Sequence, residues 1–310
     1  MVLWSAKSKL YLCFLAFLIA SLIGRSTASL GDHLPDFKEC VKICQAENCR
    51  DGDSIILTDR RLARDPPMLN PVVQFHGKWP FRRILGMQEP FSVLFSLLNL
   101  LAHWNGIGRI KETVPAWHSL RPYYLTFGYC GLACWTFSML FHTRDFPLTE
   151  KLDYFGAGAN VMYGLYLAII RILRLDQGKP RYKPTLRRLT TTICVLLYTM
   201  HVCYLSFWSW DYTYNMIANV VVGAIQNILW TGFSIVRYQK QGKVWMAWPG
   251  MIVVWIMLAM SLELQDFPPW HGLIDAHSLW HLGTVIPTAW WYMYLIKDIQ
   301  NDVSSRRLKV

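Results

Sequence analysis

The sequence predicts an all-α fold: a polytopic bundle of seven transmembrane helices, preceded by a cleaved signal peptide and a small N-terminal segment in the secretory lumen. Three observations predict it. The 310 residues are 53% hydrophobic and include 15 Trp, 15 Tyr and 15 Phe, a usage foreign to soluble domains. Apolar windows long enough to cross a bilayer recur between about residues 84 and 296. The basic residues behind a formal net charge of +11 gather in alternate short loops. A sidedness signal accounts for that charge, so nucleic acid is not an expected partner.

Residues 1–28 read as the signal peptide: Lys7 and Lys9 precede the apolar run Leu10–Ile23, and small residues surround Ala28. Residues 29–83 read as the lumenal segment. It carries Cys40, Cys44 and Cys49, an odd number at a spacing unlike a zinc knuckle, so a structural disulfide is expected there. Trp79 and Phe81, beside Lys78, Arg82 and Arg83, suit the headgroup layer. Glu89-Pro90 opens the first span. A carboxylate so close to hydrocarbon is costly without a partner, and it reads either as a helix start or as a group beside an active site.

The spans fall at about Phe91–Trp104, Tyr123–Phe141, Asp153–Leu173, Thr190–Ser209, Tyr212–Phe233, Val244–Leu262 and His277–Ile296. Residues 84–296 thus form the membrane unit and 297–310 a tail. Loops after the odd-numbered spans are basic, the longest holding Arg174, Lys179, Arg181, Lys183, Arg187 and Arg188. Opposite loops carry Asp145, Glu150, Asp211, Glu263, Asp266 and Asp275. The bias places the C-terminus in the cytosol and the acidic loops in the lumen, with Arg82 and Arg83 against the rule.

Ser138 and His142, four apart, share a helix face near the end of the second span, and Asp153 begins the third. His277 and His281 repeat the four-residue offset at the start of the last. If helices alternate direction, all five residues lie within about two turns of one membrane edge. Three neutral imidazoles with an open fourth position suit catalytic Zn²⁺, a Lewis acid for an ester carbonyl. Asp153 would move the proton or orient a ligand histidine, and Ser138 would hydrogen-bond the water or the oxyanion. Haem ligands would face each other across the bundle, and a serine nucleophile would leave His277 and His281 idle.

Other polar groups have plainer readings. His33, His103, His118 and His271 read as interface residues, His201 and Asp211 as a pair or a crevice lining, and Cys130, Cys134, Cys194 and Cys203 as small packing residues. Two further classes stay open: a receptor or scaffold around a structural zinc, and a divalent-metal transporter, which would step ionisable residues through the mid-membrane.

A run of motifs also carries a resemblance. His76-Gly77-Lys78-Trp79-Pro80-Phe81, Gly86-Met87-Gln88-Glu89-Pro90 with Ser92, Phe95-Ser96 and Asn99, Phe141-His142-Thr143-Arg144-Asp145-Phe146, Thr149-Glu150-Lys151-Leu152-Asp153-Tyr154 and Asp275-Ala276-His277-Ser278-Leu279-Trp280-His281 are similar to the post-GPI-attachment lipid-remodelling proteins, above all fungal endoplasmic-reticulum members. That family resembles a wider membrane hydrolase superfamily containing alkaline ceramidases and the adiponectin and progestin receptors. Its shared serine, histidine, aspartate and last histidine pair fall on Ser138, His142, Asp153, His277 and His281. The resemblance implies zinc on the histidines and phospholipase A2-like release of the unsaturated sn-2 acyl chain from the phosphatidylinositol of newly attached GPI anchors. It implies GPI-anchored proteins and membrane lipids as partners, and a lumenal active site in the endoplasmic reticulum in preference to the Golgi. The tail Arg306-Arg307-Leu308-Lys309-Val310 departs from a dilysine retrieval signal.

Overall fold

A computed structural model describes residues 30–46, 74–75, 78–180, 182–263 and 265–307. The signal peptide, Cys49 and the side chains of Cys40 and Cys44 lie outside the described residues, and with them the expected disulfide. The described chain is helical: α1 (Pro35–Ala46), α2 (Pro90–Thr113), α3 (Arg121–Thr143), α4 (Pro147–Ile172), α5 (Tyr182–Cys203), α6 (Tyr212–Gln241), α7 (Trp248–Glu263) and α8 (Ala276–Arg307). A π turn, Tyr204–Trp208, extends α5, and a 3₁₀ turn, Val244–Ala247, leads into α7.

Local chemistry sets the ends. Pro90 and Pro147 open α2 and α4, where a missing N–H costs nothing. Thr149 Oγ1 accepts from the Phe146 N–H at 2.9 Å, capping α4. Asp211 caps α6 by accepting from the Tyr214 N–H at 3.0 Å, while the His201 ring lies 5.4 Å from that of Tyr214. Gly242, with φ of 68°, ends α6 in the left-handed conformation.

Six segments are long and apolar enough to cross a membrane: α2, α3, α4, α5 with its π turn, α6, and α7 with its 3₁₀ turn. They match the first six expected spans. The last helix, α8, forms where the seventh was expected but mixes apolar residues with His277, His281, Thr284, Asp298 and Asp302. Packing runs α2–α3–α4–α6–α7–α8 and back to α2, a closed ring, with α5 outside against α4.

The core sits at one end of this ring. Ile110, Tyr124, Leu167, Ile170, Trp230, Tyr292, Tyr294 and Leu295 are buried together there. Two glycines allow close approach: a Cβ at Gly106 would collide with the Tyr292 ring, and one at Gly131 with the His103 ring. Beside this core Asp298, fully buried, takes a bidentate pair of bonds from Arg171 and single bonds from Arg237 and from Tyr124 OH at 3.0 Å. One carboxylate thereby ties α3, α4, α6 and α8.

Two histidines expected at the interface are internal. His103 is buried and bonds Tyr292 OH at 2.8 Å; His118 is buried with Nε2 3.6 Å from Asp302. Both turn inward from a span end, and the Tyr292 hydroxyl compensates the burial of His103. Cys130, Cys134, Cys194 and Cys203 are free thiols, and Cys134 and Cys194 are buried.

Candidate functional site

The opposite end of the ring holds the expected residues. A strap before α2 draws the ends of α3 and α8 together. Gln88 N and Glu89 N donate to the carbonyls of Thr143 (3.2 Å) and His142 (3.0 Å) at the end of α3. Lys78 pairs with Asp145, and the Asp145 N–H donates to Gln88 Oε1. On the other side Arg82 N donates to Gly272 O at 2.7 Å, and Trp79 Nε1 and Gln74 Nε2 each donate to Asp266 at 2.8 Å. The Trp79 indole is thus spent on a loop carboxylate rather than on headgroups alone. Asp275 starts α8 by accepting from Ser278 N at 2.8 Å, which orients the first turn, where His277 lies.

Between these helices the rings of His142, His277 and His281 converge. One ligand atom from each lies within 4.8 Å of the others, and the Nε2 atoms of His142 and His277 are 3.3 Å apart. Each Nδ1 has an outer partner: Glu89 Oε2 for His142 (2.7 Å), Glu263 Oε2 for His277 (2.7 Å) and Ser96 Oγ for His281 (2.9 Å). A carboxylate accepts and does not donate, so both Nδ1–H groups facing Glu89 and Glu263 are donors. In their neutral forms the facing Nε2 atoms of His142 and His277 present lone pairs to each other, 3.3 Å apart. A cation between them would satisfy both, and imidazoles with outer-shell acceptors on Nδ1 are the usual form of metal-ligating histidines. The residues present fit a divalent metal ion.

Burial shows where this site opens. His142 and His281 are 3% and 4% exposed, whereas the His277 side chain is 35% exposed, so access is from its side. Burial by itself would raise the Glu89 carboxyl, but His142 at hydrogen-bond distance, with His277 and Lys78, outweighs it and holds the carboxyl at about 2. Glu89 is therefore an anion at any working pH.

Asp153 and Ser138 stand beside the imidazoles. Asp153 lies within electrostatic reach of His142, His277 and Ser138. Ser138 Oγ lies 3.2 Å from Ser96 Oγ, and both serines are buried. All five expected residues are thus brought together. Two others, Ser96 and Glu263, escaped sequence reasoning as site members, and Glu89 stood between two readings. Ser96 appeared only inside a motif, and Glu263 read as an acidic loop residue. For the two glutamates the signal was the cost of a carboxylate at the edge of an apolar segment.

The family profile that matches residues 37–299 is described as the Per1-like family. Among curated relatives, Protein PER1 homolog of Schizosaccharomyces pombe is 40% identical over 96% of this chain and 95% of its own. The GPI-specific phospholipase A2-like PGAP3 of Danio rerio is 34% identical over 93% and 95%. The human protein of that name is 32% identical over 91% and 92%. Matched by the profile and by these relatives along most of its length, the chain belongs to the Per1-like family.

Proposed function

We propose that this protein is a zinc-dependent lipid hydrolase that removes the sn-2 acyl chain from the phosphatidylinositol of GPI anchors on newly anchored proteins. The observation that carries the reading is the convergence of three imidazoles beside Asp153 and Ser138 at one end of a membrane bundle. The relatives named GPI-specific phospholipase A2-like supply the substrate class.

His142, His277 and His281 would hold the ion, a nitrogen donor set with an open position that suits zinc. Bound there, zinc supplies a Lewis acid for the ester carbonyl and acidifies a water. Glu89 and Glu263 keep Nδ1 of His142 and His277 protonated and their rings aimed inward. Asp153 takes a proton from the attacking water as its oxygen bonds the carbonyl carbon. Asp153 then returns that proton to the glycerol oxygen as the ester C–O bond breaks. The products are a fatty acid and an anchor with a free sn-2 hydroxyl. Ser138, buried beside the imidazoles, would hydrogen-bond the water or the oxyanion.

In this reading α8 would be the seventh span, with the Asp145 loop and the site in the lumen of the endoplasmic reticulum and the C-terminus in the cytosol, as the charge bias of the loops favours. A receptor built around structural zinc would leave Asp153 without a task. Purified full-length protein incubated with a GPI-anchored protein carrying an isotopically labelled unsaturated sn-2 chain tests the reading, with lipids resolved by mass spectrometry. Labelled fatty acid and a lyso-anchor are expected; anchors left intact by zinc-loaded protein overturn it.

A further inference from the structure

We infer that Ser96 is a positioning residue that sets a one-way hydrogen-bond chain, His281 Nδ1–H to Ser96 and Ser96 to Ser138, joining the third metal ligand to the serine beside the proton-transferring carboxylate. The inference rests on the zinc-hydrolase reading and deepens it.

A donor count fixes the direction. Ser96 Oγ is 2.9 Å from His281 Nδ1 and 3.2 Å from Ser138 Oγ, and either serine could be the donor from distance alone. His281 Nδ1 faces Ser96, so Nε2 is the nitrogen left to join His142 and His277 at the centre. A ligating nitrogen carries no proton, so the imidazole proton sits on Nδ1, facing α2. With Nδ1–H donating, Ser96 Oγ is an acceptor there, and its single proton is left for Ser138 Oγ. Reversing either link leaves two donors or two acceptors facing each other.

The surroundings hold this arrangement rigidly. Ser96, Asn99 and Ser138 are buried, and the backbone of His281 is pinned by Asn99 Nδ2 donating to its carbonyl at 2.8 Å. The Trp135 ring packs edge-on to His281 at 5.3 Å between centroids. Two consequences follow. Ser96 controls which His281 nitrogen can ligate, and by donating to Ser138 Oγ it leaves the Ser138 proton for another acceptor.

The test compares Ser96→Thr with Ser96→Val in the purified full-length protein, because the two side chains share a shape and differ by the hydroxyl. Ser96→Ala is the third variant. Zinc affinity is read by chelator competition, and kcat and KM are read on the labelled GPI substrate at saturating zinc. The Val and Ala variants should lose about 10- to 100-fold in zinc affinity and should lower kcat with KM unchanged. Thr should restore both. Zinc affinity and kcat equal in the Val and Thr variants overturn the proposal, whether both are normal or both are impaired. If the unsubstituted protein binds zinc yet releases no fatty acid, the hydrolase reading fails by itself. The Thr–Val difference in zinc affinity then still decides the Ser96 link to His281.

Discussion

Replacing Asp153 by asparagine isolates proton transfer from everything else the site does. The amide retains the size of the carboxylate and an oxygen that can accept a hydrogen bond. The three imidazoles keep their own outer partners, Glu89, Glu263 and Ser96, none of which is Asp153. Fold and zinc content should therefore be unchanged. What is lost is the carboxylate to which the proposed mechanism gives the water's proton and its delivery to the departing glycerol oxygen. Such a loss costs about 10²–10⁴-fold, or about 3–5 kcal/mol of barrier. The assay is release of labelled sn-2 acyl chain by purified protein, with zinc measured by elemental analysis on the same sample. Cells carrying only Asp153→Asn should accumulate anchors that retain the unsaturated chain, at normal protein abundance. Turnover equal to the unsubstituted protein at equal zinc content would refute the role given to the carboxylate.

Other expectations follow from the same geometry. Glu89→Gln and Glu263→Gln should each weaken zinc binding about 10- to 100-fold by chelator competition, and unaltered affinity in both would remove the carboxylates from the ligand shell. Because the Glu89 carboxyl is held down from 4.5 to about 2, the stability it contributes is whole above pH 4.5 and is lost as pH falls toward 2. Thermal midpoints of purified zinc-free protein should decline across that window, and less so in Glu89→Gln. Asp298→Asn should destabilise the far end of the bundle by about 3–5 kcal/mol, since Arg171 and Arg237 would face each other without their shared anion; an unchanged thermal midpoint contradicts this. In sealed microsomes a tag between Arg174 and Arg188 should be cut by added protease and one beside Asp145 protected, and the reverse pattern would overturn the topology.

The readable part of the site was whatever is local along one helix. Ser138 and His142, like His277 and His281, are four apart, so their shared faces follow from helix geometry alone. Alternation of apolar segments then carried both pairs, with Asp153, to one end. The outer partners were not legible because they are set by packing between helices. Glu89 meets His142 across 53 residues and Glu263 meets His277 across 14, and no periodicity in either segment encodes that meeting. His103 and His118 went wrong for the same reason: composition marks a span end but not which neighbour it faces.

Span ends were misjudged where helices outrun their apolar stretch. The first was expected to stop at Trp104, but α2 continues to Thr113 and brings Ile110 into the core. The last was expected to stop at Ile296, but α8 runs to Arg307 and presents Asp298 to Arg171 and Arg237. An apolar run reports the hydrocarbon it crosses, while the helix persists as long as its polar residues find partners.

The most direct test of the central claim is turnover of a GPI-anchored substrate by the purified protein as prepared, after chelation, and after zinc is restored, with His277→Ala and His281→Ala alongside. The account predicts about one zinc per chain, loss of acyl release with loss of the metal, recovery on adding zinc, and neither zinc nor turnover in the two variants. Full acyl release by protein stripped of its metal, or full zinc occupancy with both histidines replaced, would contradict it.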